Sequence, residues 1–171
     1  MNVILIGLPT SGKSTVGVIL AKVLGMQFLD TDLLIQQKTA SRLHEIIAAK
    51  GTDGFLRMEE SVCLSIDADN TVIATGGSVV FSSAAMEHLK RNGKTVYLQI
   101  SLPELQKRLQ DAKARGVILR DGESIEELFA EREALYNQYA DEIVPEEGLS
   151  LEETVHAVRE RVLHVDQAHN T

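Results

Sequence analysis

The sequence predicts an α/β fold of three layers, in which helices cover both faces of a five-stranded parallel sheet. Five short apolar runs, rich in β-branched residues, alternate along the chain with longer segments of helical periodicity. Successive parallel strands need a crossover helix between them, and this alternation supplies it. At 171 residues the chain is long enough to bury a core without disulfides. We therefore expect a single domain over residues 1–165, followed by a frayed tail over residues 166–171.

A glycine-rich stretch between the first strand and the first helix is the strongest functional signal. Residues 7–15 read Gly-Leu-Pro-Thr-Ser-Gly-Lys-Ser-Thr, between a buried-strand pattern over 2–6 and a helical pattern over 13–24. The backbone N–H groups of such a loop and the helix N-terminus bind phosphates. We expect Lys13 to reach the β- and γ-phosphates and the Ser14 hydroxyl to ligate Mg²⁺. The pattern predicts P-loop nucleotide binding by Gly7, Thr10, Ser11, Gly12, Lys13, Ser14 and Thr15; the alternative is a glycine turn that only begins a helix.

The remaining elements follow from apolar periodicity. Strands are predicted over 27–30, 71–75, 95–100 and 143–145. Helices are predicted over 33–37, 41–49, 55–66, 83–92, 102–114, 124–140 and 150–165. Residues 115–123 have weak periodicity, two glycines and several charges. We therefore expect a mobile loop there, which forms a short lid over about 112–123.

Helix boundaries carry recognisable capping signals. Ser41 is expected to be the N-cap of its helix, and Ser124 forms a capping box with Glu127. Pro103 lies in the first turn of its helix, where a missing N–H costs nothing. Gly51 is expected to close the helix that starts near Ser41.

The overall charge and the cysteine content restrict the choice of partners and compartment. The net charge of -8 argues against a nucleic acid or an anionic membrane surface as partner, because either needs a basic face. Cys63 is the only cysteine, so no intrachain disulfide can form and a reducing compartment is expected. No apolar run approaches the ~18 residues that a membrane helix needs. We expect a cytoplasmic monomer.

Polar residues and glycines follow the second and third strands, where a parallel sheet of this kind binds its ligands. Asp32 could accept a proton from an attacking hydroxyl or hold a Mg²⁺-bound water; the alternative is that it caps the helix at Leu33. Asp30 is expected to arrange the metal shell with Asp32 and Ser14, or else to be a surface residue. Gly76 and Gly77 would let the backbone approach an acceptor closely, or else form a plain turn.

Taken in order and spacing, these features resemble the shikimate kinases, a family of small P-loop phosphotransferases. The resemblance runs from Gly7 to about Val144. It is carried by the loop over 7–15, Asp30-x-Asp32, Thr75-Gly76-Gly77, Arg108, Arg115, and Arg132-x-x-Leu135-Tyr136 with Ala140 beyond it. It implies ATP- and Mg²⁺-dependent phosphorylation of a hydroxyl on a small hydroxylated carboxylic acid, with shikimate as the first candidate. It also implies that Asp32 contacts the acceptor hydroxyls and is the base.

The resemblance further implies roles for three arginines. Arg132 matches the arginine that grips the acceptor's carboxylate through two parallel hydrogen bonds, although it could instead pair on the helix surface with Glu127 or Glu131. Arg108 matches an arginine that stacks on adenine. Arg115, in the expected lid, would stabilise the charge that develops on the γ-phosphate when the lid closes. The alternative for Arg108 and Arg115 is a solvated surface position.

The chain departs from the family pattern around the acceptor. Family members show Phe-Arg-x-x-Glu, whereas residues 55–59 read Phe-Leu-Arg-Met-Glu, which places Leu56 where a carboxylate-binding arginine belongs. Arg57 is one residue further along and would be rotated by about 100°. Three smaller departures are Thr52 for a glutamate, Ser78 for a third glycine, and Gly116-Val117 for Pro-Leu after Arg115.

These departures leave the acceptor open. Loss of one charge-assisted contact costs roughly 1.5–3 kcal/mol, which is enough to change the substrate. Kinases for another polyol or sugar acid, such as gluconate, are therefore alternatives, as is a nucleotide-binding domain without catalysis. A nucleotide-dependent switch is disfavoured because the sequence has no Asn-Lys-x-Asp segment that would read guanine.

Overall fold

The computed structural model describes residues 1–111 and 124–163. The expected lid over 112–123, which includes Arg115, and the expected tail over 166–171 lie outside the described residues. The strands are β1 (Asn2–Ile6), β2 (Gln27–Asp30), β3 (Thr71–Ala74), β4 (Gly93–Gln99) and β5 (Glu142–Pro145). The helices are α1 (Lys13–Leu24), α2 (Thr31–Thr39), α3 (Leu43–Leu64), α4 (Ser83–Lys90), α5 (Leu102–Asp111), α6 (Ile125–Tyr139) and α7 (Leu151–Leu163), with a 3-10 turn over Val79–Phe81.

The five strands form one parallel sheet in the order β2-β3-β1-β4-β5. In the register, Val3 of β1 lies beside Val72 of β3 on one side and Lys94 of β4 on the other. All five residues of β1 are buried, as a central strand covered on both faces requires. The predicted α/β fold with a five-stranded parallel sheet is confirmed.

Three apolar clusters hold the layers together. On one face, Val16 and Leu20 of α1 and Val158 of α7 pack with Leu5 and Val96 of the sheet. On the other face, side chains of α3 to α6 pack on the sheet residues Ile4, Ile6, Ile73 and Tyr97. A smaller cluster, formed by Ile35, Ile46, Phe55 and Val62, joins α2 to α3.

Several predicted boundaries differ from the structure for local reasons. Residues 43–64 form one helical run, but Gly51 has φ +70° and ψ 175°, so the backbone kinks where a break was predicted. The N-cap of α3 is Arg42 rather than Ser41. Helix α2 starts at Thr31, two residues earlier than predicted, because Asp30 caps it. The capping box of Ser124 and Glu127 at the start of α6 is confirmed.

Candidate active site

The glycine loop after β1 curls back on itself and leads directly into α1. Gly7 has φ +153° and Gly12 has φ +79°, in the region that favours glycine. A side chain at Gly7 would also collide, since its Cβ would lie 2.7 Å from the carbonyl oxygen of Leu98. The N–H of Val16 donates to the carbonyl of Gly12 at 2.8 Å, so the unpaired N–H groups of the first helical turn lie at the loop. This geometry can bind phosphate oxygens.

Lys13 is folded into this loop. Only 7% of the residue is exposed, and its Nζ donates to the carbonyls of Gly7 and Leu8, both at 2.8 Å, and to Ser11 Oγ at 3.3 Å. Burial lowers the pKa of Lys13 to about 8, while the carboxylate of Asp32 opposes that shift. A phosphate at the loop would add negative charge beside this ammonium and so favour its charged form.

Ser14 and Asp30 form the polar pair that could hold a magnesium ion. Ser14 Oγ donates to Asp30 Oδ2 at 2.5 Å, and Asp30 Oδ1 accepts from the N–H groups of Asp32 and Leu33. The alternative that Asp32 caps α2 is therefore wrong, because Asp30 is the cap. In residues 1–111 and 124–163 no three His, Cys, Asp or Glu side chains cluster as a metal cage. One hydroxyl and one or two carboxylates nevertheless suit Mg²⁺, which takes its remaining ligands from phosphates and water.

Asp32 lies at the carboxyl end of β2, against the Gly76 backbone that follows β3. A Cβ on Gly76 would lie 2.9 Å from Asp32 Oδ1 and 2.2 Å from Glu59 Oε1. The two carboxylates therefore converge on the space that a side chain at position 76 would occupy. Burial, followed by the nearby charge of Asp30, raises the pKa of Asp32 to about 6, while Lys13 opposes the shift. A carboxylate with this pKa suits proton transfer near neutral pH.

Glu59 also belongs to this site, although no role is predicted for it from the sequence. It is 2% exposed, and its Oε2 accepts from Ser78 Oγ at 2.6 Å. Its Oε1 is buried and has no hydrogen-bond partner among the residues that the structure describes. Burial raises its pKa to about 7, and the hydrogen bond from Ser78 opposes the shift. A sequence signal existed: Glu59 shares one helix face with the apolar residues Phe55, Val62 and Cys63, where a charge is unexpected.

A cavity of about 310 Å³ joins the glycine loop to the carboxylate of Asp32. Arg132 lines it; the residue is 4% exposed, and its guanidinium lies 5.4 Å from the centre of the Phe81 ring. Tyr136 donates from its hydroxyl to the carbonyl of Gly77 at 2.5 Å, which fixes the cavity wall beside Arg132. Gly76 has its own N–H engaged by Thr31 Oγ1 at 3.0 Å. Of the predicted site residues, Thr10, Gly12, Lys13, Ser14, Thr15, Asp32, Gly76, Gly77 and Arg132 all line this cavity.

Leu56 and Arg57 do not line the cavity of about 310 Å³, the larger cavity. Both lie instead on a neighbouring cavity of about 130 Å³, together with Glu59 and Ser78. Arg57 is exposed to solvent. Neither residue therefore places a second guanidinium beside Arg132 in the larger cavity.

Arg108 lies on the side of the glycine loop that faces away from the larger cavity. Its Nη1 donates to the carbonyl of Thr10 at 2.9 Å and to Glu146 Oε2 at 3.3 Å, and its Nε donates to Glu104 Oε1 at 2.6 Å. It lines a separate cavity of about 290 Å³, which lies beyond the ends of β4 and β5. The larger cavity lies beyond β2 and β3, so the two cavities flank the loop that follows the central strand β1.

Comparisons with known proteins agree with this geometry. A family model described as shikimate kinase matches residues 9–163. The shikimate kinase 2 of Yersinia pseudotuberculosis is 37% identical over an alignment of 149 residues, which covers 84% of this chain and 85% of that protein. In residues 1–111 and 124–163 no helix combines the length and apolarity that a membrane crossing requires.

Solved structures give the same result. A shikimate kinase from Acinetobacter baumannii in complex with shikimate superposes with a TM-score of 0.83 at 28% identity, over 95% of this chain and 93% of that one. The shikimate kinase from Aquifex aeolicus gives a TM-score of 0.81 at 32% identity, over 95% and 99% of the two chains. The predicted resemblance is confirmed, and the chain belongs to the shikimate kinase family of ATP-dependent phosphotransferases.

Proposed function

We propose that this protein transfers the γ-phosphate of ATP to a hydroxyl of shikimate. One observation carries the proposal: a single cavity joins a phosphate-binding loop, a carboxylate of raised pKa and a buried arginine. These are the groups needed to hold a triphosphate, to accept a hydroxyl proton and to bind a carboxylate. Relatives whose names specify shikimate kinase activity support the choice of acceptor.

Lys13 and the loop N–H groups hold the phosphates in this proposal. The Lys13 ammonium exchanges its bonds to the carbonyls of Gly7 and Leu8 for bonds to phosphate oxygens. Ser14, Asp30 and Asp32 hold Mg²⁺, directly or through its waters, and the ion when bound neutralises charge on the β- and γ-phosphates. Arg115, outside the described residues, is the cation that we propose acts on the γ-phosphate.

Asp32 and Arg132 handle the acceptor. Arg132 binds its carboxylate from a buried position, beside Gly77 in the cavity wall. Asp32 accepts the proton of the attacking hydroxyl, because its carboxylate is ionised at pH 7 yet basic enough to take a proton. Gly76 allows this approach because a larger residue would fill the space between Asp32 and Glu59.

The adenosine end of ATP lies in the second cavity in this proposal. With the phosphates on the glycine loop and the acceptor on the β2–β3 side, the β4–β5 side is left for the base. Arg108 lines that cavity and is fixed against the loop by its hydrogen bond to the Thr10 carbonyl. A guanidinium fixed in this way can stack on a base.

We place the enzyme in the cytoplasm as a monomer. The one cysteine, Cys63, is a buried free thiol, which accords with a reducing compartment. Size-exclusion chromatography with light scattering measures the oligomeric state directly, and a dimer would contradict this part of the proposal.

The experiment that tests the function is an ADP-release assay over a panel of acids, with Lys13→Ala as the control variant. We expect release that depends on shikimate, and a loss of roughly 10²-fold or more in the control variant. Release with gluconate or another hydroxy acid but not with shikimate would reassign the acceptor, a result that the position of Leu56 outside the larger cavity would explain. ATP binding without turnover on any acid would contradict catalysis.

A further inference from the structure

Thr31 is a buried hydroxyl residue between Asp30 and Asp32, and the proposed chemistry does not use it. It is fully buried, and it is the first residue of α2, at the point where the chain leaves β2. Its Oγ1 accepts a hydrogen bond from the backbone N–H of Gly76 at 3.0 Å. One side chain therefore joins the start of α2 to the segment that follows β3.

The hydroxyl of Thr31 takes the place of a backbone acceptor that β2 no longer supplies. Asp30 is the last residue of β2 and lies beside Ala74 of β3 in the parallel register. The N–H of Thr75 donates to a carbonyl of β1 at 3.2 Å, so the N–H of the next residue, Gly76, faces the β2 side. The chain turns into α2 after Asp30, and a buried N–H that loses its acceptor is costly. The Thr31 side chain removes that cost by continuing the pairing of the two strands.

The residues before Asp32 fix its position from two directions. Asp30 Oδ1 accepts from the N–H of Asp32 at 2.9 Å, and Asp30 Oδ2 accepts from Ser14 Oγ at 2.5 Å. Asp32 thus follows one residue that is bonded to the first turn of α1 and another that is bonded to Gly76. A Cβ on Gly76 would lie 2.9 Å from Asp32 Oδ1, so the carboxylate lies directly beside that backbone. Loss of the Thr31 bond would therefore let the two move apart.

We propose that Thr31 is a positioning residue, whose hydroxyl sets the separation between the carboxylate of Asp32 and the cavity wall at Gly76. The inference rests on the proposed function, in which Asp32 accepts the proton of the attacking hydroxyl. Thr31 is buried and does not line the larger cavity, so it acts through Asp32 and not on a ligand. Its effect falls on turnover, because a misplacement near 1 Å between reacting groups lowers the rate by about 10²-fold. The glycine loop and Arg132, which bind the two substrates, do not depend on this bond.

The test compares Thr31→Val, which removes the hydroxyl at nearly constant volume, with Thr31→Ser, which keeps it. Phosphoryl transfer from ATP to shikimate is measured with the full chain, and the stoichiometry of ADP binding by calorimetry counts the folded protein. Thr31→Val should lower kcat per ADP-binding site by roughly ten- to a hundredfold, and change the KM for ATP and for shikimate by about threefold or less. Thr31→Ser should keep kcat within about threefold of wild type, because its hydroxyl can accept the same N–H.

Thr71→Val is the matched control. Thr71 is also buried, and its Oγ1 donates to the carbonyl of Asp69 at 2.8 Å, but it begins β3 at the end remote from the site. This variant loses a hydroxyl bond in the same strand pair and should keep the wild-type kcat. Thr31→Ala also lacks the hydroxyl, and it replaces Thr31→Val in the comparison if that variant binds no ADP.

The outcomes separate the role of Thr31 from the proposed function. Wild-type kcat in Thr31→Val, or an equal loss in Thr31→Ser or Thr71→Val, would overturn the positioning role and leave the proposed function intact. Wild type that transfers no phosphate to shikimate would refute the proposed function and this role with it.

Discussion

Substitution of Gly76 by alanine tests the convergence of the two carboxylates most closely. A Cβ at this position would lie 2.2 Å from Glu59 Oε1, and real Cβ atoms essentially never approach closer than 3.0 Å. The carboxylate or the backbone must therefore move by about 0.8 Å. Overpacking of this kind costs roughly 1–3 kcal/mol of unfolding free energy. A displacement near 1 Å beside the reacting groups lowers turnover by about 10²-fold.

The assay pairs denaturant unfolding with turnover, and it includes two comparison variants. Gly77→Ala is the matched control, because its Cβ would meet Pro9 Cδ at 3.1 Å and Arg132 Nη1 at 3.3 Å, contacts that small shifts can relieve. We expect it to lose far less stability than Gly76→Ala. Adding Glu59→Ala to Gly76→Ala removes the colliding oxygen. The double variant should therefore lose about 1 kcal/mol or more less unfolding free energy than the sum of the two single-variant losses. Wild-type stability and turnover in Gly76→Ala, or strictly additive costs in the double variant, would refute the reasoning.

Three further predictions concern the acceptor side of the site. Arg132→Ala should raise the KM for shikimate by roughly ten- to a hundredfold and spare the KM for ATP, and equal losses for both would show that Arg132 does not select the acceptor. Leu56→Arg should lower the KM for shikimate about tenfold, because position 56 lines the smaller cavity together with Glu59 and with Ser78, and Ser78 also lines the larger cavity. Arg57→Ala should leave the KM unchanged, because Arg57 is exposed to solvent. Asp32→Asn should abolish turnover yet stabilise the metal-free protein at pH 7. The folded-state pKa of Asp32, about 6, lies above the ordinary value of 3.8, so the folded state binds more protons than the unfolded state between these pH values. The wild type therefore loses stability as the pH rises from about 3.8 to about 6. Melting temperatures of this variant and wild type should therefore differ at pH 7 and converge near pH 4, and a constant difference would contradict the shifted pKa.

The glycine loop could be predicted because its function depends on neighbours in the sequence. The glycine loop depends on a short stretch of sequence that contains Gly7, Gly12 and Lys13. The positions of the two glycines mark where the backbone adopts positive φ. Asp30 shows the limit of such local reasoning. The sequence offered two aspartates before α2, and only the structure shows that Asp30 caps the helix and leaves the Asp32 carboxylate on the cavity.

Glu59 and Glu146 show what local patterns leave out. Glu59 meets Asp32 because α3 packs against the segment after β3, where Glu59 accepts a hydrogen bond from Ser78. Glu146 faces a cavity because β5 pairs with β4 and carries it beside Arg108. Both contacts join residues that are far apart in the sequence. Periodicity can therefore mark Glu59 as a charge on a buried helix face, but it cannot identify the residue that Glu59 contacts.

Transfer of a labelled phosphoryl group tests the central claim most directly. ATP labelled at the γ-phosphorus is incubated with the protein, Mg²⁺ and shikimate, and the products are separated by chromatography. The account predicts that the label moves to shikimate in amounts equal to the ADP formed, and that Asp32→Asn does not carry out this transfer. Label that stays on ATP, or that appears only as inorganic phosphate, would contradict it.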